Sequence, residues 1–171
     1  MPHLFRFFVS LFLSLLSSQV AFCDVVFPAH SLVQNKPPGY CCWACLEMLG
    51  RNQKIATLFD LVEKRAGDQD DGDVPKNAAT AETATKKLKD MGVSCQISLW
   101  NVSHLKDASK KFGAVVFMWK NPTMGAQDHA VVLTHYDDKV VRWIDPNGCY
   151  RWEGTREWFD KYWAGVAISL D

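Results

Sequence analysis

The sequence predicts one α+β domain in which the helices come first and the strands follow. Apolar residues at helical spacing dominate the chain up to about residue 113, and runs rich in Val, Ile and aromatic residues dominate from residue 114 onward. Hydrophobic residues make up 48% of the 171 residues, so the chain can bury a core of ordinary size. Helices and strands that occupy separate parts of a sequence are typical of α+β folds.

An N-terminal segment stands apart from this domain. His3 and Arg6 precede a short apolar run over residues 7–16, and small residues follow at Ala21 and Cys23. This pattern predicts a secretory signal peptide over residues 1–23, cleaved after Cys23. The apolar run is shorter than the roughly 20 residues that span a membrane. We therefore expect a secreted or periplasmic domain over residues 24–171, monomeric and not associated with a membrane.

The helical part begins after an extended, proline-containing lead-in over residues 24–39. Gly50 and Gly92 end two of the predicted helices, and Ser103 caps another. The predicted helices of this part cover residues 42–50, 55–62, 80–91 and about 103–113.

The strand-rich part follows at once. Its predicted strands cover residues 114–119, 129–136, 139–144 and 165–170. Thr155 caps a helix that separates the last two strands and ends near residue 163.

The charge balance excludes one class of partner. Lys and Arg together number 19, as do Asp and Glu, so the net charge is zero. Because no basic field is present to attract phosphates, we expect no nucleic-acid partner.

The segment from Gln34 to Cys42 carries the main chemical signal. A loop containing prolines and glycine delivers Cys42 to the predicted start of a helix. Free N–H groups and the helix dipole stabilise a thiolate at that position, and the thiolate is the nucleophilic form of cysteine. The side-chain amide of Gln34 can donate into an oxyanion hole beside the backbone N–H of Cys42.

Two neighbouring predicted strands can bring a histidine close to an aspartate. A two-residue turn at residues 137–138 places Ala130 opposite Asp145. A turn over residues 136–138 instead places His129 opposite Asp145, within reach for the carboxylate to orient the imidazole. A turn over residues 137–139 favours Asn147 instead, and Asn147 remains the second choice. His135 is the rival base, on the same strand face but about 20 Å further along.

These motifs resemble those of papain-like cysteine peptidases. Gln34, Gly39 and the Cys42-Trp43-Ala44 element match the glutamine and Cys-Trp-Ala of that family. The closer resemblance is to its bacterial branch, the double-glycine leader peptidases of bacteriocin exporters. In that branch the histidine opens a strand of alternating apolar residues and an Asp-Pro pair follows the next strand, as in 128–133 and 144–146 here.

The resemblance implies a fold and a reaction. It implies an N-terminal helical lobe facing a C-terminal antiparallel sheet, with the site in the cleft between them. Cys42, His129 and Asp145 would form the triad, with Gln34 in the oxyanion hole. The reaction would be hydrolysis of a peptide or protein substrate, without a metal or other cofactor. Transfer of the acyl group to an amine, as in transglutaminase-like enzymes, is the alternative.

The other cysteines admit several interpretations. Five cysteines follow the signal peptide, and an odd number in an oxidising compartment leaves one thiol unpaired. With Cys42 as the free thiol, two disulfides are predicted, in any of three connectivities, among Cys41, Cys45, Cys95 and Cys149. Cys41 is also the rival nucleophile, and Cys42 is preferred because Trp43 follows it as in the family pattern. The non-enzymatic alternative is a disulfide-stapled binding domain.

Overall fold

The structure is a computed structural model that describes residues 24–36, 39–67, 79–119 and 127–171. The predicted signal peptide, residues 1–23, lies outside the described residues, so cleavage and export stay predictions. Among the described residues, no helix is both long enough and apolar enough to cross a membrane.

A six-stranded antiparallel sheet forms the framework, in the order β1-β6-β2-β3-β4-β5. Strand β3 pairs with β2 and β4, the strands before and after it in sequence. Strand β6, the last in the chain, lies between β1 and β2. The strands are β1 Cys95–Leu99, β2 Ala114–Trp119, β3 Gln127–Tyr136, β4 Val140–Asp145, β5 Tyr150–Thr155 and β6 Trp163–Leu170.

In the described part of the chain, five α-helices accompany the sheet. They are α1 Cys41–Gln53, α2 Leu61–Gly67, α3 Ala81–Asp90, α4 Val102–Lys111 and α5 Arg156–Tyr162, with short 3₁₀ turns at Ala29–Ser31 and Ala56–Leu58. The predicted α+β class, with helices mostly before strands, is confirmed. The exceptions are β1, which precedes α4 in sequence, and α5, which lies between β5 and β6 in sequence.

The two faces of the sheet carry separate cores. Ala130 and Val132 on β3 pack in the core that contains α1, whereas Val131 and Leu133 pack in the core that contains α4 and α5. Because side chains alternate along a strand, β3 serves both cores. The sheet therefore separates the α1 side of the molecule from the α5 side.

Strands β1 and β5 were not predicted, because both lie at edges of the sheet. Five of the six residues of β5 are exposed, so the strand lacks the alternation of apolar and polar residues that marks a half-buried strand. Its register nevertheless follows β4 throughout, with Trp143 opposite Trp152 and Asp145 opposite Tyr150.

Helix α1 is longer than predicted at both ends. It begins at Cys41 and continues past Gly50 to Gln53, where Lys54 closes it with a left-handed backbone (φ +62°). Gly50 does not end the helix. A Cβ at Gly50 would lie 2.4 Å from the Cβ of Leu58, so glycine is needed there to let the following turn pack against α1.

The buried carboxylate of Glu47 fastens this turn to α1. The side chain is 3% exposed and forms an ion pair with Arg51 at 2.7 Å. It also accepts the backbone N–H groups of Asp60 (3.2 Å) and Val62 (2.9 Å). One carboxylate therefore accepts hydrogen bonds from the backbone at the start of α2.

Replacing Glu47 with alanine should lower the free energy of unfolding by about 3 kcal/mol, because it leaves two backbone N–H groups without their acceptor and removes one of the two carboxylates that pair with Arg51. Urea unfolding would measure the change. The matched control is Glu63→Ala at an exposed position of α2, for which we expect a change of less than about 0.5 kcal/mol. Equal losses for the two variants would show that the Glu47 contacts do not stabilise the fold.

The lead-in segment crosses the α1 side of the sheet. The Val25 N–H donates to the Thr134 carbonyl at 3.0 Å, where the β3–β4 register shifts by one residue. Asp24 forms ion pairs with His135 (2.9 Å) and Arg142 (2.7 Å). The register shift in β3 thus coincides with the Thr134 carbonyl that accepts the hydrogen bond from the lead-in.

Candidate active site

Cys41 is the first residue of α1. The helix follows a loop in which Gly39 has a φ of +98°, and Tyr40 is the N-cap without a side-chain cap. The N–H groups of a first helical turn have no partner within the helix, and the helix dipole is positive at this end. The sulfur at this position therefore lies where a negative charge is stabilised.

His129 on β3 brings the imidazole to this helix start. Its Nε2 lies 2.9 Å from Oδ1 of Asp145, and its ring is hydrogen-bonded to the Cys41 thiol. Since Nε2 faces Asp145, Nδ1 is the nitrogen left for the sulfur. The structure therefore joins Cys41, His129 and Asp145 in one hydrogen-bonded series.

The ionisation of the two central groups is coupled. Burial raises the pKa of the Cys41 thiol, but its hydrogen bond with His129 acts in the opposite direction. Backbone contacts with Ala130 and Cys42 add to this, and the net effect is a lowered pKa. Burial lowers the pKa of His129, but its hydrogen bonds with Asp145 and Cys41 raise it to about 9. Both shifts favour a thiolate–imidazolium pair near neutral pH.

Asp145 ends β4 and remains ionised in this arrangement. Burial raises the pKa of its carboxyl, but the hydrogen bonds from His129 and from the Asn147 N–H (2.8 Å) outweigh burial and lower it. The β3–β4 register, with Val132 opposite Ile144, continues to place Asn147 across from His129. Asp145 is its diagonal neighbour, and such diagonals are within reach of long side chains.

The structure does not bring the predicted nucleophile, Cys42, to this series. Cys42 is 2% exposed and packs in the core beneath α1. Burial, with the neighbouring Cys41 charge, raises the pKa of its thiol well above the usual range. One residue turns a helix by 100°, so with α1 beginning at Cys41 its neighbour faces the core. Cys41, the rival thiol, is the one that lies beside His129 at the helix start.

Apolar spacing does not separate the two thiols, because every residue from Cys42 to Gly50 is buried. Cys41, by contrast, is half-buried at the start of the helix. The Cys45 thiol donates to the Ala130 carbonyl at 3.4 Å, which anchors α1 beside the strand that carries His129.

The predicted oxyanion residue, Gln34, is exposed, and its role stays a prediction. Its neighbour Asn35 is half-buried and is bonded to the chain just after Asp145. The Asn35 N–H donates to the Pro146 carbonyl at 2.8 Å, and its side-chain amide donates to Oδ1 of Asn147 at 2.7 Å. Sequence reasoning missed Asn35, which lies six residues before Cys41.

The side chains of the remaining predicted alternatives have other partners. His135, the rival base, forms ion pairs with Asp24 and Asp137. Asn147, the alternative orienting residue, contacts Asn35.

The predicted disulfides are wrong. All five cysteines of the described residues are free thiols: Cys41, Cys42, Cys45, Cys95 and Cys149. Cys41 meets His129, Cys42 and Cys45 are buried in α1, Cys95 lies on edge strand β1, and Cys149 lies in the turn before β5. The alternative of a disulfide-stapled binding domain loses its premise. Within the described ranges, no three His, Cys, Asp or Glu side chains are grouped to hold a metal ion.

Three solved structures share this fold. A double-glycine motif protease from an AMS/PCAT transporter, solved with its leader peptide, aligns with a TM-score of 0.62 at 19% identity over 86% of this chain and 92% of its own. The peptidase domain of Streptococcus ComA, a bifunctional ABC transporter of a quorum-sensing pathway, gives 0.61 at 18% identity over 81% and 96%. The same domain from Streptococcus mutans, bound to a small-molecule inhibitor, gives 0.54 at 16% identity over 82% and 98%.

These alignments cover nearly all of each solved domain, and they confirm the predicted papain-like fold. At such identities the similarity establishes the fold alone. No protein-family model matches the chain, and no curated protein matches it in sequence.

Proposed function

We propose that this protein is a cysteine peptidase that hydrolyses peptide or amide bonds with Cys41 as its nucleophile. The observation that carries the proposal is the hydrogen-bonded series from the Cys41 thiol through His129 to Asp145. The solved domains of the same fold are peptidases, and one of them binds a leader peptide. Those similarities support the reaction class but do not specify a substrate sequence.

Each residue has a distinct role in the proposed reaction. The Cys41 thiolate attacks the carbonyl carbon of the scissile bond, and His129 gives its proton to the departing nitrogen. Asp145 holds the imidazole in place and stabilises its charged form. Water, deprotonated by His129, then releases the acyl group from the sulfur.

The oxyanion that forms during attack needs N–H donors. The free N–H groups of the first turn of α1, beginning with that of Cys41, supply one donor. Of the two candidate side-chain amides, Asn35 is better placed than Gln34, because Asn35 is half-buried against the chain that follows Asp145. Export of the protein, proposed from residues 1–23, is independent of this chemistry.

Thiol labelling of the native protein tests the proposal. Iodoacetamide at pH 6 should modify Cys41 selectively, because an ordinary thiol with a pKa of 9.0 is ionised there to only about one part in a thousand. Fragmentation mass spectrometry would separate Cys41 from the adjacent Cys42. A peptide library should then yield cleaved sequences, and the modified protein should cleave none. If no thiol reacts faster than free cysteine, or if the library stays intact, the peptidase assignment fails.

A further inference from the structure

An apolar trench opens beside His129 on the α5 side of the sheet. We define the aromatic trench by Trp119, Trp143, Trp152, Trp158 and Tyr162, which line most of a cavity of about 700 Å³. Its volume is typical of a site that binds a ligand rather than of a packing defect. His129 and Asp145 form part of its wall, so the trench is continuous with the candidate active site.

Three of the five aromatic rings of the trench pack against one another. Trp143 and Trp158 stack with centroids 5.4 Å apart and planes 5° from parallel, and Tyr162 packs against Trp158 at 4.7 Å. Trp152 is 51% exposed and Trp158 is 45% exposed. The surface is therefore formed before anything binds, and it leaves large apolar faces in contact with water.

The charged groups around the trench are already paired. Asp145 is bonded to His129 at 2.9 Å, and Glu153 is bonded to Arg142 at 2.6 Å. Neither carboxylate is left to attract a cation. The chemistry of the lining thus selects an apolar occupant.

The position of the trench decides which part of a substrate reaches it. Its walls come from β2 to β5 and from α5, and none of the described residues of α1, including Cys41, lines it. The acyl half of a substrate must lie at Cys41, whose sulfur bonds to the carbonyl carbon. The departing nitrogen must lie at His129, which protonates it. The chain that begins at that nitrogen is the half that continues over His129 toward the trench.

We propose that the aromatic trench binds the segment on the amine side of the scissile bond and selects an aromatic or large aliphatic side chain there. This inference rests on the proposed function. When the C–N bond breaks, the occupant departs with the amine product, and the acyl group stays on Cys41. The trench therefore promotes acylation, and it does not affect attack by water on the acyl-enzyme.

The same site should admit an amine that replaces water. An amine with a bulky side chain binds the trench, attacks the thioester carbon and gives its proton to His129, and the Cys41 thiolate leaves. The products are a new amide and the free enzyme. The acyl-transfer reaction considered from the sequence would thus depend on the trench.

Two substrates with the same acyl part test the inference. The acyl part is taken from a sequence that the peptide library shows to be cleaved. One substrate is a peptide with phenylalanine directly after the scissile bond, and the other is the methyl ester, whose leaving group is too small to reach the trench. Trp158→Ala and Trp152→Ala should each lower kcat/KM for the peptide about tenfold or more, as expected for loss of an apolar subsite, and change it less than about twofold for the ester. Trp100→Ala is the matched control, because Trp100 is also exposed and lies outside the trench.

Partitioning of the acyl-enzyme provides the second measurement. With the ester as acyl donor, phenylalaninamide should intercept the wild-type acyl-enzyme about tenfold better than glycinamide, and Trp158→Ala should remove this preference. Equal losses on both substrates, or no preference between the amines in the wild type, would overturn the subsite. Failure of the wild type to hydrolyse either substrate would instead overturn the proposed peptidase function.

Discussion

Replacing Cys41 with alanine should lower peptide cleavage by at least about a thousandfold, because the variant lacks the nucleophile. The Cys41 side chain is the only thiol of the described residues that is hydrogen-bonded to His129. The measurement is kcat/KM on a cleaved library peptide. Thermal unfolding of the variant should be close to that of the wild type, since Cys41 lies at the border of the core and not within it.

The matched control is the same substitution one residue later. Cys42→Ala removes a buried sulfur from the core and should cost about 1 kcal/mol of stability, with kcat/KM changed less than about threefold. The reverse result, an inactive Cys42→Ala and an active Cys41→Ala, would return the nucleophile to Cys42. If both variants were inactive, the position of the label on native protein would still distinguish the two thiols.

Replacing His129 with alanine should remove both cleavage and selective labelling. Without the imidazole, burial alone acts on the Cys41 thiol, so its pKa rises to the ordinary value of 9.0 or above. At pH 6 the labelling rate should fall, as the ionised fraction of the thiol falls. The measurement is the labelling rate of Cys41 between pH 5 and pH 10. An unchanged rate at pH 6 would show that His129 does not stabilise the thiolate.

The conservative variant Asp145→Asn separates orientation from charge. Asp145 raises the pKa of His129, so its loss should lower that pKa from about 9. Above the pKa of His129 the imidazole has no proton for the departing amine, and kcat/KM falls. The alkaline limb of the wild-type profile should therefore lie near pH 9 and move to lower pH in Asp145→Asn. A limb that stays in place would contradict the role assigned to this carboxylate.

The fold class was accessible from the sequence because its central elements are amphipathic or wholly apolar. Strand β2 is buried along almost its whole length, and β3 serves two cores, so both stand out as apolar runs that contain paired valines. The edge strands β1 and β5 do not, because exposure relaxes the choice of side chain. Strand β1 is positioned by pairing with the distant β6, whereas β5 pairs with the preceding β4 across a turn.

The site was only partly predictable for a similar reason. His129 and Asp145 follow from the order of strand, turn and Asp-Pro, and the structure brings them together. The reactive thiol depended on a single residue of helix phase, because α1 begins at Cys41 and not at Cys42. The sequence pattern around Trp43 favoured Cys42, whereas the structure buries Cys42 and leaves Cys41 beside His129.

The hairpin brings Asp145 to His129, as predicted, but in a different strand register from the one that places the two residues directly opposite. Near His129 the observed register is the one that a turn over residues 137–139 would give, with Asn147 opposite His129. Asp145 is nevertheless the residue bonded to His129. A diagonal contact accounts for this, because Asp145 lies two residues from Asn147 and is still within reach of His129. Asn147 instead supports Asp145 through its backbone N–H and contacts Asn35 through its side chain.

The lead-in segment has a consequence for the order in which the protein forms. Its bonds join residues very far apart in sequence: Asp24 and Arg142 are separated by 118 positions, and Phe27 and Arg151 by 124. Contacts of such separation close late, because the chain between them must first lose its freedom. Under the proposed function, peptidase activity should therefore appear late in folding, because Cys41 lies on α1 whereas His129 and Asp145 lie on β3 and β4.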